Sequence, residues 1–281
     1  MKKHLSTIIL ILIFFVGLSL LLYPTVSDYW NSFHQSQAIA GYVETIANID
    51  EDKYEKIFND AKAYNEKLAS HSSHWRLSEE EEKEYNNTLN ISDIGIIGYI
   101  EIPKINCSLP IYHGTDENVL QIAVGHIAGS SLPIGGESTH SVLSGHRGLP
   151  SAKLFTNLDK LENGDLFMIR VMDETLTYKV DQILIVEPDD FSALGIEDGQ
   201  DLCTLITCTP YGVNTHRLLV RGHRVDNVKQ TSDVRVTADA IQIEPVLVAP
   251  VVAVPIVIIL FAVIFLGRRK PVKSILIDNI K

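Results

Sequence analysis

Three residue types that together can transfer an acyl group stand within reach of one another in the second half of the chain. Cys208 lies in Thr207-Cys208-Thr209-Pro210-Tyr211-Gly212, Arg217 follows in Thr215-His216-Arg217, and His146 stands upstream in Ser144-Gly145-His146-Arg147-Gly148. A thiol attacks a carbonyl as its thiolate and so needs a base or a cation that favours that form. An imidazole supplies the base, and a fixed guanidinium can steady both the thiolate and a developing oxyanion. The other cysteines, Cys107 and Cys203, show no Cys-x-x-Cys spacing with Cys208. An odd count in an exported domain leaves at least one free thiol.

The elements around these residues decide which thiol is available. Leu202 to Cys208 has the texture of a strand, so Cys203 and Cys208 point to opposite faces. Cys208 closes that strand just before the turn signal Pro210-Tyr211-Gly212, where a side chain projects from a rigid base. Cys203, mid-strand, and Cys107 read as small core residues. Arg217 opens the following strand, so pairing of the two would return its guanidinium to Cys208, and an ordinary surface arginine on a hairpin is the alternative. His146 follows the β-run Val142-Leu143-Ser144 and precedes Gly148-Leu149-Pro150, which places an imidazole on a loop at a strand end.

Other chemistries find less support. Ser144 is not set in a G-x-S-x-G elbow. His126, His140, His146, His216 and His223 lack metal-ligand spacing, so neither metal nor cofactor is expected. The net charge of −11 argues against nucleic acid as a partner.

Hydrophobic periodicity at three- and four-residue steps from Ala38 to Leu68 predicts two helices broken near Asp50 to Asp52. A third helix starts at Ser78, with Glu81 completing a capping box. After Gly95 the chain turns to short β-runs: Ile96 to Ile102, Val142 to Ser144, Leu166 to Val171, Thr175 to Val186, Leu202 to Cys208 and Arg217 to Arg224. Strands without long intervening helices predict a mainly β barrel or sandwich.

Two apolar stretches bracket this part, Leu5 to Leu22 and Val246 to Leu266, each close to the roughly 20 residues that cross a bilayer. Pro250 and Pro255 are tolerable in a lipid-embedded helix. Lys2 and Lys3 precede the first stretch, and Arg268, Arg269, Lys270 and Lys273 follow the second. The positive-inside rule then places both termini in the cytoplasm and the β-domain outside. The expected layout is a cytoplasmic start (1–4), a span (5–22), a helical region (23–94), a β-domain (95–230), a linker (231–245), a span (246–266) and a basic tail (267–281).

Leu205-Ile206-Thr207-Cys208 resembles the Thr-Leu-x-Thr-Cys signature of sortases. Gly98-Tyr99-Ile100-Glu101-Ile102-Pro103, Leu109 to Thr115, Ser144 to Pro150 and Thr207 to Gly222 resemble, in the same order, class C, the pilus-assembling members. The resemblance implies a closed β-barrel of about eight strands with N-terminal helices and flanking transmembrane helices, with His146, Cys208 and Arg217 on the catalytic positions. It implies attack on the Thr-Gly bond of an LPxTG-type sorting signal and transfer of the acyl group to a lysine of a pilin subunit, at a Gram-positive cell membrane. Attachment to a cell-wall peptide amine is the alternative within the family, and a noncatalytic exported scaffold the alternative outside it. Class C members usually carry an Asp-Pro-aromatic lid ahead of the barrel. Here His74-Trp75-Arg76-Leu77 stands in its place, leaving Trp75 as a lid aromatic or as a packing residue between helix and barrel.

Overall fold

The computed structural model describes residues 2–70, 75–91 and 95–227. The expected linker (231–245), second span (246–266) and basic tail (267–281) lie outside the described residues, as does any topology that depends on them.

The expected first span and the first amphipathic helix are one element, α1, running Lys2–Ala47 with Pro24 inside it. A proline forfeits one backbone hydrogen bond without stopping a helix that continues strongly on both sides. At 46 residues, α1 is about 69 Å long, more than twice the thickness of a bilayer core. Its N-terminal part carries unburied Leu10, Leu12, Ile13, Phe14, Phe15, Val16, Leu20 and Leu21. Among the described residues it is the one helix long and apolar enough to cross a membrane. Its C-terminal part turns Tyr42 and Ile46 onto the β-domain. Tyr42 is fully buried there, its hydroxyl donating to the Ile97 carbonyl (3.2 Å) and accepting from the Met172 N–H (2.7 Å).

The break falls at residues 48–50, slightly ahead of the expected one near Asp50 to Asp52, because Asp50 is the cap and α2 already begins at Glu51. Asp50 caps α2 (Glu51–Ala69) by accepting from the Asp52 N–H. The capping box of α3 (Glu79–Asn87) forms as expected: Glu81 N–H donates to Ser78 Oγ and Ser78 N–H to the Glu81 carboxylate. Asn65, on the buried face of α2, holds the backbone of Leu132 from both sides, through Nδ2 to its carbonyl (3.0 Å) and Oδ1 from its N–H (2.7 Å).

Eight strands close into a barrel in the order β1-β2-β3-β4-β7-β8-β6-β5. They are β1 (Ile96–Ile102), β2 (Cys107–His113), β3 (Val124–His126), β4 (Thr139–Ser144), β5 (Leu166–Val171), β6 (Glu174–Val186), β7 (Asp201–Thr209) and β8 (His216–Val225). The short helix α4 (Glu117–Leu120) joins β2 to β3. β4 and β7 run parallel, with Ser144 opposite Ile206, while β7 and β8 run antiparallel. Side chains alternate across the wall: Leu143, Cys203, Leu205, Leu218 and Val220 fill the interior with Phe155, Phe167 and Tyr178. Val142, Ile206 and Leu219 form a smaller apolar floor on the other face.

Candidate active site

Alternation and register place two of the expected residues. Cys208 lies two residues beyond Ile206 and Arg217 two before Leu219, so both belong to the outer face, at one end of the apolar floor. The ladder sets Cys208 directly opposite Arg217. The loop that joins β7 to β8 turns on Pro210, whose carbonyl accepts from the N–H groups of Val213 (3.1 Å) and Asn214 (2.9 Å). Arg217 Nη1 donates back to the carbonyls of Asn214 (3.3 Å) and His216 (3.1 Å), which fixes the guanidinium near the strand end.

His146 reaches the same end along β4. Gly145 N–H donates to the Ile206 carbonyl (3.0 Å) and Thr207 Oγ1 to the Gly145 carbonyl (2.7 Å), so the chain leaves β4 alongside Cys208. Only glycine fits at 145, since a Cβ there would stand 2.7 Å from the Phe155 ring. The loop closes on itself: Phe155 N–H donates to the His146 carbonyl (3.1 Å) and Gly148 N–H to Thr156 Oγ1 (3.0 Å). Partial burial holds the imidazole below its usual value, with the Glu117 carboxylate pulling weakly the other way. Register and hydrogen bonds to backbone carbonyls thus bring the segments that carry Cys208, His146 and Arg217 to one end of the barrel wall.

The remaining thiols are set for packing. Burial raises Cys107 to about 12 and pushes Cys203 well above the usual thiol range. Cys203 lies inside the barrel, on the face opposite Cys208. The other histidines are engaged separately. His126 sits buried between Tyr85 and the Ser131 carbonyl, and His140 between Thr204 and the Gly195 carbonyl. His216 lies by Glu187 and His223 by Asp181.

Trp75 packs against the apolar floor of Val142, Ile206 and Leu219 and meets Phe191 in a tilted pair at 31°, their centroids 5.3 Å apart. One pleat of about 7 Å separates Ile206 from Cys208 along the strand. Phe191 belongs to the loop between β6 and β7 and shows no signal in the sequence. Arg147 also went unassigned there. Its nearly buried side chain donates from Nη1 to Thr209 Oγ1 (3.3 Å), pairs with Asp159, and lies 5.9 Å from the Tyr211 ring centroid, tying the β4–β5 connection to the end of β7 and the turn after it.

The sequence matches the family model described as "Sortase domain" over residues 100–225. It is 36% identical over 131 residues to sortase D of Bacillus subtilis, a match spanning 46% of this chain but 63% of that protein, just under two thirds. The crystal structure of sortase C1 from Streptococcus agalactiae aligns with a TM-score of 0.67 at 56% identity, covering 68% of this chain and all of that one. The structure of Clostridium perfringens sortase C with the C-terminal cell wall sorting motif aligns with a TM-score of 0.61 at 44% identity, again over 68% of this chain and all of that one. With the matched domain taking in all of the barrel but the start of β1, and two class C structures covered from end to end, the chain belongs to the sortase family of cysteine transpeptidases, on its class C side.

Proposed function

We propose that the chain is a membrane-anchored transpeptidase that cleaves LPxTG-type sorting signals between Thr and Gly and joins the acyl group to a pilin lysine. The observation that carries this reading is the register that sets Cys208 opposite Arg217 while the Gly145 hydrogen bonds bring the His146 loop alongside. The class C relatives, one of them solved with a cell wall sorting motif, support the substrate class. The apolar first half of α1 supplies the anchor.

In this reading the Cys208 thiolate attacks the Thr carbonyl carbon, with Arg217 beside the developing oxyanion. The tetrahedral adduct collapses as the Thr–Gly C–N bond breaks, and the His146 imidazolium gives its proton to the departing glycine amine. The product is a thioester on Cys208 and a neutral imidazole. A lysine amine then attacks the thioester, passes a proton to that imidazole, and releases the thiolate as an isopeptide bond forms. Water competes for the same thioester, so the yield of cross-linked product depends on how well the lysine is positioned. Trp75 lies over the floor leading to Cys208, where it would act as the lid aromatic that a sorting signal displaces.

The test is incubation of the full chain in detergent with an LPxTG peptide and a pilin carrying the acceptor lysine. Wild type should form a thioacyl adduct at Cys208 and a cross-linked product, and Cys208→Ala neither. An adduct or cross-link from the alanine variant would remove Cys208 from the mechanism.

A further inference from the structure

Beyond Leu22, the expected end of the membrane span, α1 carries a polar stripe at helical spacing, Asp28, Asn31 and Gln35. Each of the three contacts the β-domain backbone. Asp28 Oδ1 accepts from the Lys153 N–H (2.8 Å), with Lys153 Nζ 2.9 Å from its other carboxylate oxygen. Asn31 Nδ2 donates to the Ser151 carbonyl (2.8 Å). Gln35, buried, donates from Nε2 to the Ile122 carbonyl (2.7 Å).

Two of these three contacts fall on the loop that carries His146. Its base is fixed by Phe155 and the Gly145 hydrogen bonds, and its outer arc, Ser151 to Lys153, has α1 as its support. The third contact falls just past α4, whose Glu117 carboxylate acts on His146. Asp28 lies six residues past Leu22, about 9 Å along the helix axis. A stripe serving only to keep the helix soluble would face water, whereas this one is spent on loop backbone.

We propose that Asp28, Asn31 and Gln35 form a positioning device by which the helix emerging from the membrane holds the His146 loop in register with Cys208. This rests on the catalytic reading of Cys208 and His146. The anchor then does more than tether the enzyme. It fixes the catalytic loop a short distance from the lipid surface, where the acyl donor must present its scissile bond. The ionisable groups around the loop are Glu117 of α4, Cys208 and Arg217 at the strand ends, Arg147 and Asp159 beside it, and the Asp28–Lys153 pair. Only that pair is altered by changing α1, and Asp28→Asn isolates its charge.

The test uses the full chain in lipid nanodiscs and reads the rate of Cys208 alkylation by iodoacetamide against pH, by peptide mapping, alongside peptide cleavage. With the loop displaced, the imidazole no longer favours the thiolate. Asp28→Ala combined with Asn31→Ala should slow alkylation at pH 7 about tenfold and leave it unchanged near pH 10, above the ordinary thiol range. Asp28→Asn retains the acceptor for the Lys153 N–H and should stay within about twofold of wild type. A double variant matching wild type at pH 7 overturns the proposal. So does equal slowing at both pH values, which marks general loss of structure, or an Asp28→Asn variant as slow as the double variant, which marks an effect of charge alone. A wild type whose alkylation is indifferent to His146→Ala refutes the catalytic reading instead. A wild type that alkylates normally but transfers no peptide refutes the substrate assignment and leaves the positioning intact.

Discussion

Burial withdraws two of the three thiols from chemistry at neutral pH, since it raises both Cys107 and Cys203 far from ionisation. Cys208, at the rim of the outer face, is the thiol left beside an imidazole and a guanidinium. In the proposed mechanism His146 and Cys208 act as a pair, so kcat/KM should follow a bell whose limbs belong to the pair. Partial burial favours neutral imidazole at His146, which draws down the alkaline limb, where the imidazolium that protonates the leaving amine is lost. His146→Gln should erase that limb and lower kcat/KM about 10²-fold or more, whereas an unchanged profile would exclude the imidazole from the chemistry. Arg217 presents its fork from a fixed position between the carbonyls of Asn214 and His216. Lysine keeps the charge but not that geometry. Arg217→Lys should therefore lose about 10²-fold in kcat with a smaller change in KM, and single-turnover rates of thioacyl formation would show it.

Trp75 separates two roles at the scale of elements. As a lid, it covers the Val142, Ile206 and Leu219 floor that a sorting signal must reach, and Trp75→Ala should raise kcat/KM for a short peptide several-fold, mainly through KM. As a packing residue alone, its removal would lower Tm and leave the kinetics in place, so the two measurements together decide. Docking of α1 is measurable in the same way: Tyr42→Phe keeps the ring but strands the buried Met172 N–H, costing about 1–3 kcal/mol in denaturant unfolding. Much of this architecture was legible from sequence because it rests on local rules. The capping box at Ser78, the break at Asp50 and six strands follow from spacing and turn residues. β2 and β3 did not, since β2 contains Pro110 and β3 spans three residues, too short for alternation to register. Phe191, Arg147 and the Asp28 stripe were hidden for another reason: each acts on backbone or rings far away in the chain, and no local pattern encodes the partner.

At the scale of the whole molecule, burial holds three histidines toward the neutral ring. His126 is fully buried against Tyr85 and Ser131, and burial lowers its pKa from 6.5 to about 3. Burial also lowers His113 and His140, each with a ring nitrogen on a backbone carbonyl. In the unfolded chain all three titrate near 6.5. As pH falls through that value the unfolded state gains protons that the folded state refuses, so stability declines with falling pH. Each such group contributes a slope of up to about 1.4 kcal/mol per pH unit, for His126 down to about pH 3. Stability should therefore begin to fall near pH 6.5, well above the range in which carboxylates lose their partners. Denaturant midpoints measured from pH 7.5 to 4.5 would show the decline, and the steepness gives the number of protons taken up on unfolding. A midpoint flat down to pH 5 would mean that these rings are protonated in the folded state. His126→Gln should flatten the curve if it folds, and His140→Gln, which keeps a donor for the Gly195 carbonyl, provides the same test at a less buried site.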